Sequence, residues 1–295
     1  MIQWPERLIE DLAARRAVVF FGSGISRNSN GANGKNPSSW WTFLDEIKNK
    51  AKKSKKLLND DLSTVDRLLK ENDLLTVCDI LKQIIGREAF VDAIKAEFKT
   101  PKYKPADIHT HIYKIDSRIV ITPNFDEIYD NLATLKSEGT ISIKSYADGD
   151  TAECLRSDDR VILKIHGSVS KPNDLVFTRT DYAQARNKHR GFYSLIESLL
   201  RTHTFLFIGC GLSDPDIRGL LEDYSFSFNH SRRHYFTISN TELGKVSAQT
   251  ISNSLGLEFL QYSTTNNHEQ LTISLGALSN SVEQARSKMA DSQSW

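Results

Sequence analysis

Short apolar runs recur along the chain, and their composition predicts buried β-strands. Each run is four to six residues long and is rich in β-branched and aromatic side chains. Several runs are continuously apolar instead of alternating with polar residues, a pattern that is typical of strands buried on both faces of a parallel sheet. The six predicted strands are Ala17–Phe21, Ile119–Thr122, Val161–Ile165, Thr204–Ile208, Tyr235–Ile238 and Leu257–Tyr262.

Helical patterns follow the third, fourth and fifth of these strands, at Phe192–Arg201, Pro215–Tyr224 and Thr241–Leu255. Strands that alternate with helices favour an α/β fold, because the helices form the crossovers between parallel strands. We therefore predict a Rossmann-like, doubly wound, mostly parallel six-stranded sheet within a single domain, residues 1–295.

Residues 27–118 interrupt this rhythm, since a crossover needs only about a dozen residues. The segment opens with the turn-rich loop Asn28–Asn36 and then shows helical patterns, including Leu74–Ile85 and Arg87–Phe98. We predict that it forms an inserted helical subdomain which, with this loop, covers the ligand site. A C-terminal helix and tail are expected over residues 268–295.

The composition is that of an ordinary globular protein, and it excludes several kinds of site. The formal net charge is +1, so no overall attraction to nucleic acid or membrane is expected. No run approaches the length of a membrane span and no signal pattern opens the sequence, so we expect a cytoplasmic protein. Cys78, Cys154 and Cys210 are widely separated, which excludes a four-cysteine zinc site, and no other metal site is evident.

Candidate chemistry follows four of the predicted strands, at the ends where open α/β sheets bind ligands. Gly22-Ser23-Gly24 follows the first strand, and its glycines would let backbone amides approach a phosphate, although a plain tight turn has the same pattern. Arg27 stands where the third glycine of a dinucleotide fingerprint would be, so that fingerprint is incomplete.

The second and third strands end in polar side chains that could act on a ligand. Asn124 would point into the ligand crevice, or would belong to a turn in which Asp126 caps the next helix. His166 precedes Gly167 at the end of its strand and could act as a general base, although most isolated histidines are ordinary hydrogen-bonding residues.

The fourth segment, Phe207–Ile217, is a glycine turn after a strand, followed by a helix start at Pro215. Asp214 and Asp216 are candidate helix caps there. Gly209 and Gly211 could let a ribose or an adenine approach the backbone. Cys210 is more simply a small space-filling residue than a nucleophile, since no neighbour in the sequence would activate it.

These four segments resemble those of the sirtuins, in the same order along the chain. Gly22–Ser26 resembles the sirtuin loop Gly-Ala-Gly-Ile-Ser, and Thr122–Asp126 resembles Thr-Gln-Asn-Ile-Asp. Ile165–Gly167 resembles the catalytic Leu-His-Gly, and Gly209–Leu212 resembles Gly-Thr-Ser-Leu. The extended segment Gly211–Ile217 is most similar to the sirtuin-like domains of bacterial anti-phage defence systems, whose known activity is NAD hydrolysis. Among these, the chain length is similar to that of the sirtuin-like partner of HerA-type motor ATPases.

The resemblance implies that NAD is the substrate, that no metal is needed, and that Asn124 and His166 are the catalytic residues beside the nicotinamide ribose. The NAD-binding residues that it implies are Gly22, Ser23, Gly24, Ser26, Asp126, Gly209, Gly211 and Leu212. The expected reaction is hydrolysis of NAD to nicotinamide and ADP-ribose, or to a cyclised form. In defence it would deplete NAD, as part of a homo-oligomer or of a complex with a HerA-type ATPase.

Three alternatives to NAD hydrolysis exist on the sequence alone. A nuclease would need clustered carboxylates for metal ions and a basic groove, and neither is evident. A protein deacylase would usually carry the four-cysteine zinc module and an Asp-Phe-Arg element after Ser26, and Pro123 stands where deacylases have glutamine. A nucleotide-sensing module without catalysis would keep the glycines but would not need both Asn124 and His166. The departures weaken the deacylase alternative more than they weaken NAD binding.

Overall fold

The computed structural model describes residues 1–211, 214–228, 232–241 and 243–292. The strands are β1 (Ala17–Phe21), β2 (Ile119–Thr122), β3 (Ser142–Ser145), β4 (Val161–Lys164), β5 (Thr204–Ile208), β6 (His234–Ser239) and β7 (Leu257–Tyr262). The helices are α1 (Glu6–Ala13), α2 (Ser23–Ser26), α3 (Trp40–Lys53), α4 (Asn59–Lys70), α5 (Leu74–Ile85), α6 (Arg87–Phe98), α7 (Asp107–Ile115), α8 (Ile128–Lys136), α9 (Thr151–Arg156), α10 (Arg179–Lys188), α11 (Arg190–Thr202), α12 (Pro215–Ser227), α13 (Lys245–Leu255) and α14 (Thr265–Ser292). In the part of the chain that the structure describes, no helix combines the length and apolar composition that a membrane span requires.

All strand pairs of the sheet are parallel, and the strand order is β3-β4-β2-β1-β5-β6-β7. The strands β2, β3 and β4 lie on one side of β1, and β5, β6 and β7 lie on the other. The direction of winding therefore reverses next to β1, and open α/β sheets bind ligands outside the carboxyl ends of the strands at such a point. The predicted doubly wound α/β fold is confirmed.

Within the described residues the sheet has seven strands, so the predicted number of six is wrong. The additional strand, β3, is the sequence Ser-Ile-Lys-Ser at the edge of the sheet, where it pairs with β4. Three of its four residues are partly or fully exposed, because an edge strand is not covered on all sides. It therefore lacks the continuous apolar run that revealed the other strands.

The core lies on both faces of the sheet, as the apolar runs predict. Val19 and Phe21 of β1 pack in one cluster with α1, α7 and α14, whereas Val18 and Phe20 pack in the other with α11 and α12. This division follows from the alternation of side chains along a strand.

A third apolar cluster lies among α3, α4, α5 and α6, and it also contains Val169, Leu175 and Phe177 from the segment after β4. The last helix of residues 27–118, α7, does not belong to this third cluster. Its residues Ile108, Ile112 and Ile115 pack in the cluster that contains Val19 and Phe21 of β1. The treatment of 27–118 as one inserted subdomain stays a prediction.

A buried lysine ties the end of β4 to the segment that follows β2. The Lys164 side chain is 2% exposed. Its Nζ donates to the main-chain carbonyl of Asp126 at 2.6 Å and to the Asp130 carboxylate at 2.7 Å. Burial raises the pKa of Asp130, and the charge of Lys164 opposes that shift without cancelling it. The spacing between the two strand ends therefore depends on a single cation.

We expect Lys164→Met to lower the free energy of unfolding by about 3–5 kcal/mol, because it leaves a buried carboxylate without its partner. The double variant Lys164→Met/Asp130→Leu should recover more than half of that loss, since an apolar pair of similar size replaces the ions. Urea denaturation measures both changes.

The matched control is Lys144→Met, which removes a lysine from β3 whose partner Asp150 is 60% exposed. Its cost should stay below about 1 kcal/mol, as for other surface ion pairs. Equal losses in the Lys164 and Lys144 variants would contradict the role assigned to Lys164.

Candidate functional site

A cavity of about 420 Å³ lies at the carboxyl ends of the central strands. Four loops of the sheet contribute to its wall: Gly22 and Ser23 after β1, Asn124 and Asp126 after β2, His166 after β4, and Gly211 after β5. The structure therefore brings together residues from all four motifs. Of the other predicted site residues, Ser26 lies behind the wall, Gly24 and Gly209 hold two loops together, and Leu212 is outside the described residues.

The glycines after β1 and β5 are required because the two loops touch. A Cβ atom on Gly22 would lie 2.7 Å from the Gly209 carbonyl oxygen, and one on Gly24 would lie 2.8 Å from the same atom. The amides of Gly22 and Gly24 donate to the carbonyls of Ile208 and Gly209, both at 3.0 Å. The N–H groups of Gly22 and Gly24 therefore already have hydrogen-bond acceptors within the protein. Ser23, the residue between them, lines the cavity.

A buried hydrogen-bond chain fixes the orientation of Asn124. Its Nδ2 donates to Ser26 Oγ at 3.0 Å, and Ser26 Oγ donates to Asp126 Oδ2 at 2.7 Å. The other oxygen of Asp126 accepts from the amide of Ile128 at 3.1 Å. The N-cap residue of α8 is Glu127, so Asp126 forms an Asx turn one residue before the helix instead of the cap that we predicted. Asn124, Ser26 and Asp126 are each at most 8% exposed, so little water competes for these hydrogen bonds.

His166 is held between an aromatic ring and a carboxylate. Its ring meets that of Tyr182 edge to face at 4.8 Å, and its Nε2 lies 3.7 Å from Asp214 Oδ2. Asp214 also accepts from the Tyr182 hydroxyl at 3.1 Å and from the Ile217 amide at 3.2 Å. The sequence identified Asp214 only as a helix cap, because its approach to His166 depends on two distant strands.

The residue after His166 must be a glycine. Gly167 has a φ of +80°, and a Cβ atom there would overlap the carbonyl group of Asp174. The amide of Val176 donates to the His166 carbonyl at 3.1 Å, which returns the chain past the histidine. The sharp turn therefore directs the imidazole toward the cavity wall instead of continuing the strand.

Cys210 lines the cavity but is not activated. Burial raises the pKa of its thiol above the ordinary value, so the protonated form prevails at neutral pH. Its Sγ lies 3.4 Å from the Ile208 carbonyl oxygen. This agrees with the space-filling role inferred from the sequence.

Helices of the 27–118 segment supply the apolar side of the cavity. Trp40, Leu74, Leu75 and Phe98 all line it. None of the residues Asn28–Asn36 does so, and this loop is instead bonded to the Pro101–Lys104 turn. The helices α3, α5 and α6 of this segment therefore line the cavity, whereas the loop that we expected to cover it does not.

Phe125, between Asn124 and Asp126, connects the β2 loop to these helices. Its ring lies 5.6 Å from Trp40, 6.4 Å from Phe98 and 6.1 Å from Phe177. Such edge-to-face contacts add to the energy of apolar burial. The position of Asn124 is therefore coupled to the packing of the neighbouring helices.

Two ion pairs hold α5 against α10 at the rim of the cavity. Arg179 lies 2.7 Å from Asp73, and Lys82 lies 3.1 Å from Asp181. Burial alone would raise the pKa of Asp73. The hydrogen bonds with Thr76 and Arg179 together lower this pKa by more than burial raises it, so the net shift is downward. Asp73 stays charged and paired at neutral pH.

No cluster of three or more His, Cys, Asp or Glu side chains that could hold a metal ion occurs in the described ranges. The cavity wall does contain three carboxylates, those of Asp73, Asp126 and Asp214, together with the guanidinium of Arg179.

Known proteins match this chain over most of its length. It is 22% identical over 234 residues to the NAD(+) hydrolase ThsA of Acinetobacter baumannii, which covers 79% of this chain and 44% of that protein. It is 27% identical over 225 residues to the Defense-associated sirtuin 2 of Bacillus subtilis, which covers 75% of this chain and 20% of that protein. The NAD(+) hydrolase ThsA of Bacillus cereus is 23% identical over 235 residues, 79% of this chain and 45% of that protein. The chain thus spans less than half the length of these relatives.

Residues 118–260 match the sequence profile of the SIR2-like domain family. The matched region begins just before β2 and ends within β7, so it contains the segments of Asn124, His166 and Gly209. The resemblance to sirtuins that we inferred from short segments is therefore confirmed: residues 118–260 of this chain are similar to the SIR2-like domain, and the chain is similar to proteins named NAD(+) hydrolase and defence-associated sirtuin.

Proposed function

We propose that this protein hydrolyses NAD to nicotinamide and ADP-ribose, and that it acts in anti-phage defence by depleting the cofactor. The observation that carries the proposal is the convergence of Asn124 and His166, from separate strand ends, on one cavity. The similarity to proteins named NAD(+) hydrolase and defence-associated sirtuin supports the same reaction.

Cleavage of the bond between nicotinamide and ribose passes through an oxocarbenium-like state, as in other glycoside cleavages. In the inverting form of this reaction, a water molecule attacks the anomeric carbon from the face opposite the leaving base. Asn124 is suited to hold that water, because its Nδ2 is bonded to Ser26 and its amide oxygen can accept a hydrogen bond from the water. Ser26 and Asp126 would hold this amide in its orientation.

His166 is proposed as the base that accepts a proton from the water or from a ribose hydroxyl. Asp214, 3.7 Å from its Nε2, would stabilise the imidazolium that forms and hold the ring in place. Nicotinamide would lie against the apolar wall that includes Phe98 and Phe125, which excludes bulk water from the reacting carbon.

The remaining contacts with NAD follow from the positions of the loops. Ser23, with Gly22 and Gly24, would lie beside the pyrophosphate, since their loop borders the cavity next to β1. Gly209, Gly211 and Leu212 are assigned to the adenosine side.

We further propose that the protein acts as an oligomer or with a partner, for which a HerA-type motor ATPase is the candidate. An uncontrolled NAD hydrolase would drain a cofactor that the cell needs. The candidate contact surface is the pair of neighbouring helices α12 and α13, on which Phe226 and Val246 are 91% and 81% exposed. We place the protein in the cytoplasm, where NAD is available.

We expect Asn124→Ala and His166→Ala each to reduce NAD turnover by at least about 100-fold, because each removes a group that acts on the reacting atoms. Chromatography of nicotinamide and ADP-ribose measures the turnover. Asn187→Ala and His268→Ala, which change exposed residues outside the cavity, are matched controls and should keep wild-type activity. Near-normal turnover by a folded Asn124 or His166 variant would remove that residue from the mechanism.

Turnover should not depend on a divalent metal ion, since the proposed steps use only side chains and water. The test is NAD hydrolysis after treatment with a chelator, followed by addition of Mg²⁺, Mn²⁺ or Zn²⁺. Loss of activity on chelation, with recovery only when a metal is restored, would overturn the mechanism.

Activity per chain should rise with protein concentration as the protein assembles. Light scattering after size exclusion, paired with turnover across concentrations, measures both. Phe226→Glu/Val246→Glu should favour the monomer and slow turnover, whereas Leu135→Glu, which also changes an exposed apolar residue, should do neither. A monomer that hydrolyses NAD rapidly at every concentration would contradict the need for assembly.

A further inference from the structure

A second cavity, of about 370 Å³, opens at the opposite edge of the sheet. Arg16 precedes β1, while Thr204 begins β5 and His234 begins β6, and all three residues line this cavity. Because the strands are parallel, their amino ends lie at the edge away from Asn124 and His166. The cavity is thus separate from the candidate NAD site, and we call it the amino-edge pocket.

The amino-edge pocket has a local excess of positive charge. Among the described residues, its lining contains four guanidinium groups, those of Arg16, Arg201, Arg232 and Arg233, but one carboxylate, that of Asp11. The whole chain has a formal net charge of only +1, so this excess is a property of the pocket and not of the protein in general.

Two carboxylates offset part of this charge and leave an excess: Glu197, which is outside the lining, lies 3.8 Å from Arg201, and the other is Asp11. Its side chain is 8% exposed and accepts from Thr204 Oγ1 at 2.7 Å. It lies 3.4 Å from Arg16 and 3.8 Å from Arg232, so a single carboxylate is shared by two cations. Arg233 is bonded to neutral partners, Ser252 and Asn253 on α13.

Beside these cations, His234 has a buried donor without an acceptor. The residue is 2% exposed, and its Nδ1 accepts from the Phe205 amide at 3.2 Å. The proton of the neutral ring must therefore lie on Nε2, which has no hydrogen-bond partner among the described residues. Burial lowers the pKa of His234 to about 4, so the ring is neutral at physiological pH. An unpaired buried donor is costly unless a ligand supplies its acceptor.

We propose that the amino-edge pocket binds a small phosphorylated molecule, with the arginines on the phosphate oxygens and His234 Nε2–H as a further donor. Planar guanidinium groups match the oxygens of a phosphate in pairs, which explains four arginines and no lysine in the lining. The volume fits a small molecule with two or more phosphates better than a polymer, which would need an extended basic stripe. This site does not depend on the proposed NAD hydrolysis.

The test is calorimetric titration of the full chain with inorganic pyrophosphate, with inorganic phosphate and ADP as further arms. Arg201→Gln/Arg232→Gln should weaken pyrophosphate binding by at least about tenfold, a change of about 1.4 kcal/mol. Both side chains are more than half exposed, so the variant should fold normally. His234→Asn keeps an acceptor for the Phe205 amide and should weaken binding by a smaller factor.

Arg67→Gln removes an arginine of similar exposure on α4, far from the pocket in sequence, and should bind as the wild type does. The proposal would be overturned if the wild type showed no saturable binding of pyrophosphate, or if the wild type and Arg201→Gln/Arg232→Gln bound it with equal affinity. Loss of binding on Arg179→Gln instead would also overturn it, because pyrophosphate would then bind in the candidate NAD cavity. So would a labelled single-stranded oligonucleotide that binds more tightly than pyrophosphate and loses binding in Arg201→Gln/Arg232→Gln, because the pocket would then bind a polymer.

Discussion

The buried contact of Lys164 sets the geometry on which the candidate site depends. Its ammonium joins the end of β4 to the main chain at Asp126 and to the Asp130 carboxylate. His166 follows Lys164 by two residues, and Asn124 precedes Asp126 by two, so one cation fixes the spacing of both strand ends. Such a pair stabilises little by itself, because the cost of removing two charges from water offsets most of the attraction. Its value lies in specificity, since a loop held by a buried charge has few alternative positions.

The second constraint is that the loop carrying Asn124 also belongs to the core of the neighbouring helices. Phe125 directs its ring into the aromatic cluster of Trp40, Phe98 and Phe177, while the residues on either side of it face the cavity and the Ser26 network. A shift of α3 or α6 therefore moves the Asn124 backbone as well. The helices that cover the cavity and the loop of Asn124 therefore form one packed unit, so a movement of these helices would reach the candidate site directly.

The two cavities lie at opposite edges of the sheet and differ in the chemistry of their linings. The carboxyl edge combines apolar rings with Asp126 and Asp214, an environment suited to the positive charge that develops on a ribose as its base leaves. The amino edge collects arginines around one carboxylate, an environment suited to anions. The strand β5 runs between them, with Thr204 at one end and the Gly209 turn at the other. A ligand at the amino edge would therefore contact the same strands that position the loops of the candidate site.

The sequence by itself determined the α/β class, six of the seven strands and the four loops that meet at the cavity, because buried parallel strands are continuously apolar and ligand residues follow their ends. It identified Asn124, Asp126 and His166 through local pattern and resemblance. It missed β3, whose exposed edge needs no apolar run, and the pairing of Asp214 with His166 and of Lys164 with Asp130. It also missed the amino-edge arginines, which are spread from residue 16 to residue 233. Only the tertiary structure decided these, because each contact joins residues far apart in the chain, and no local periodicity records which distant strand ends become neighbours.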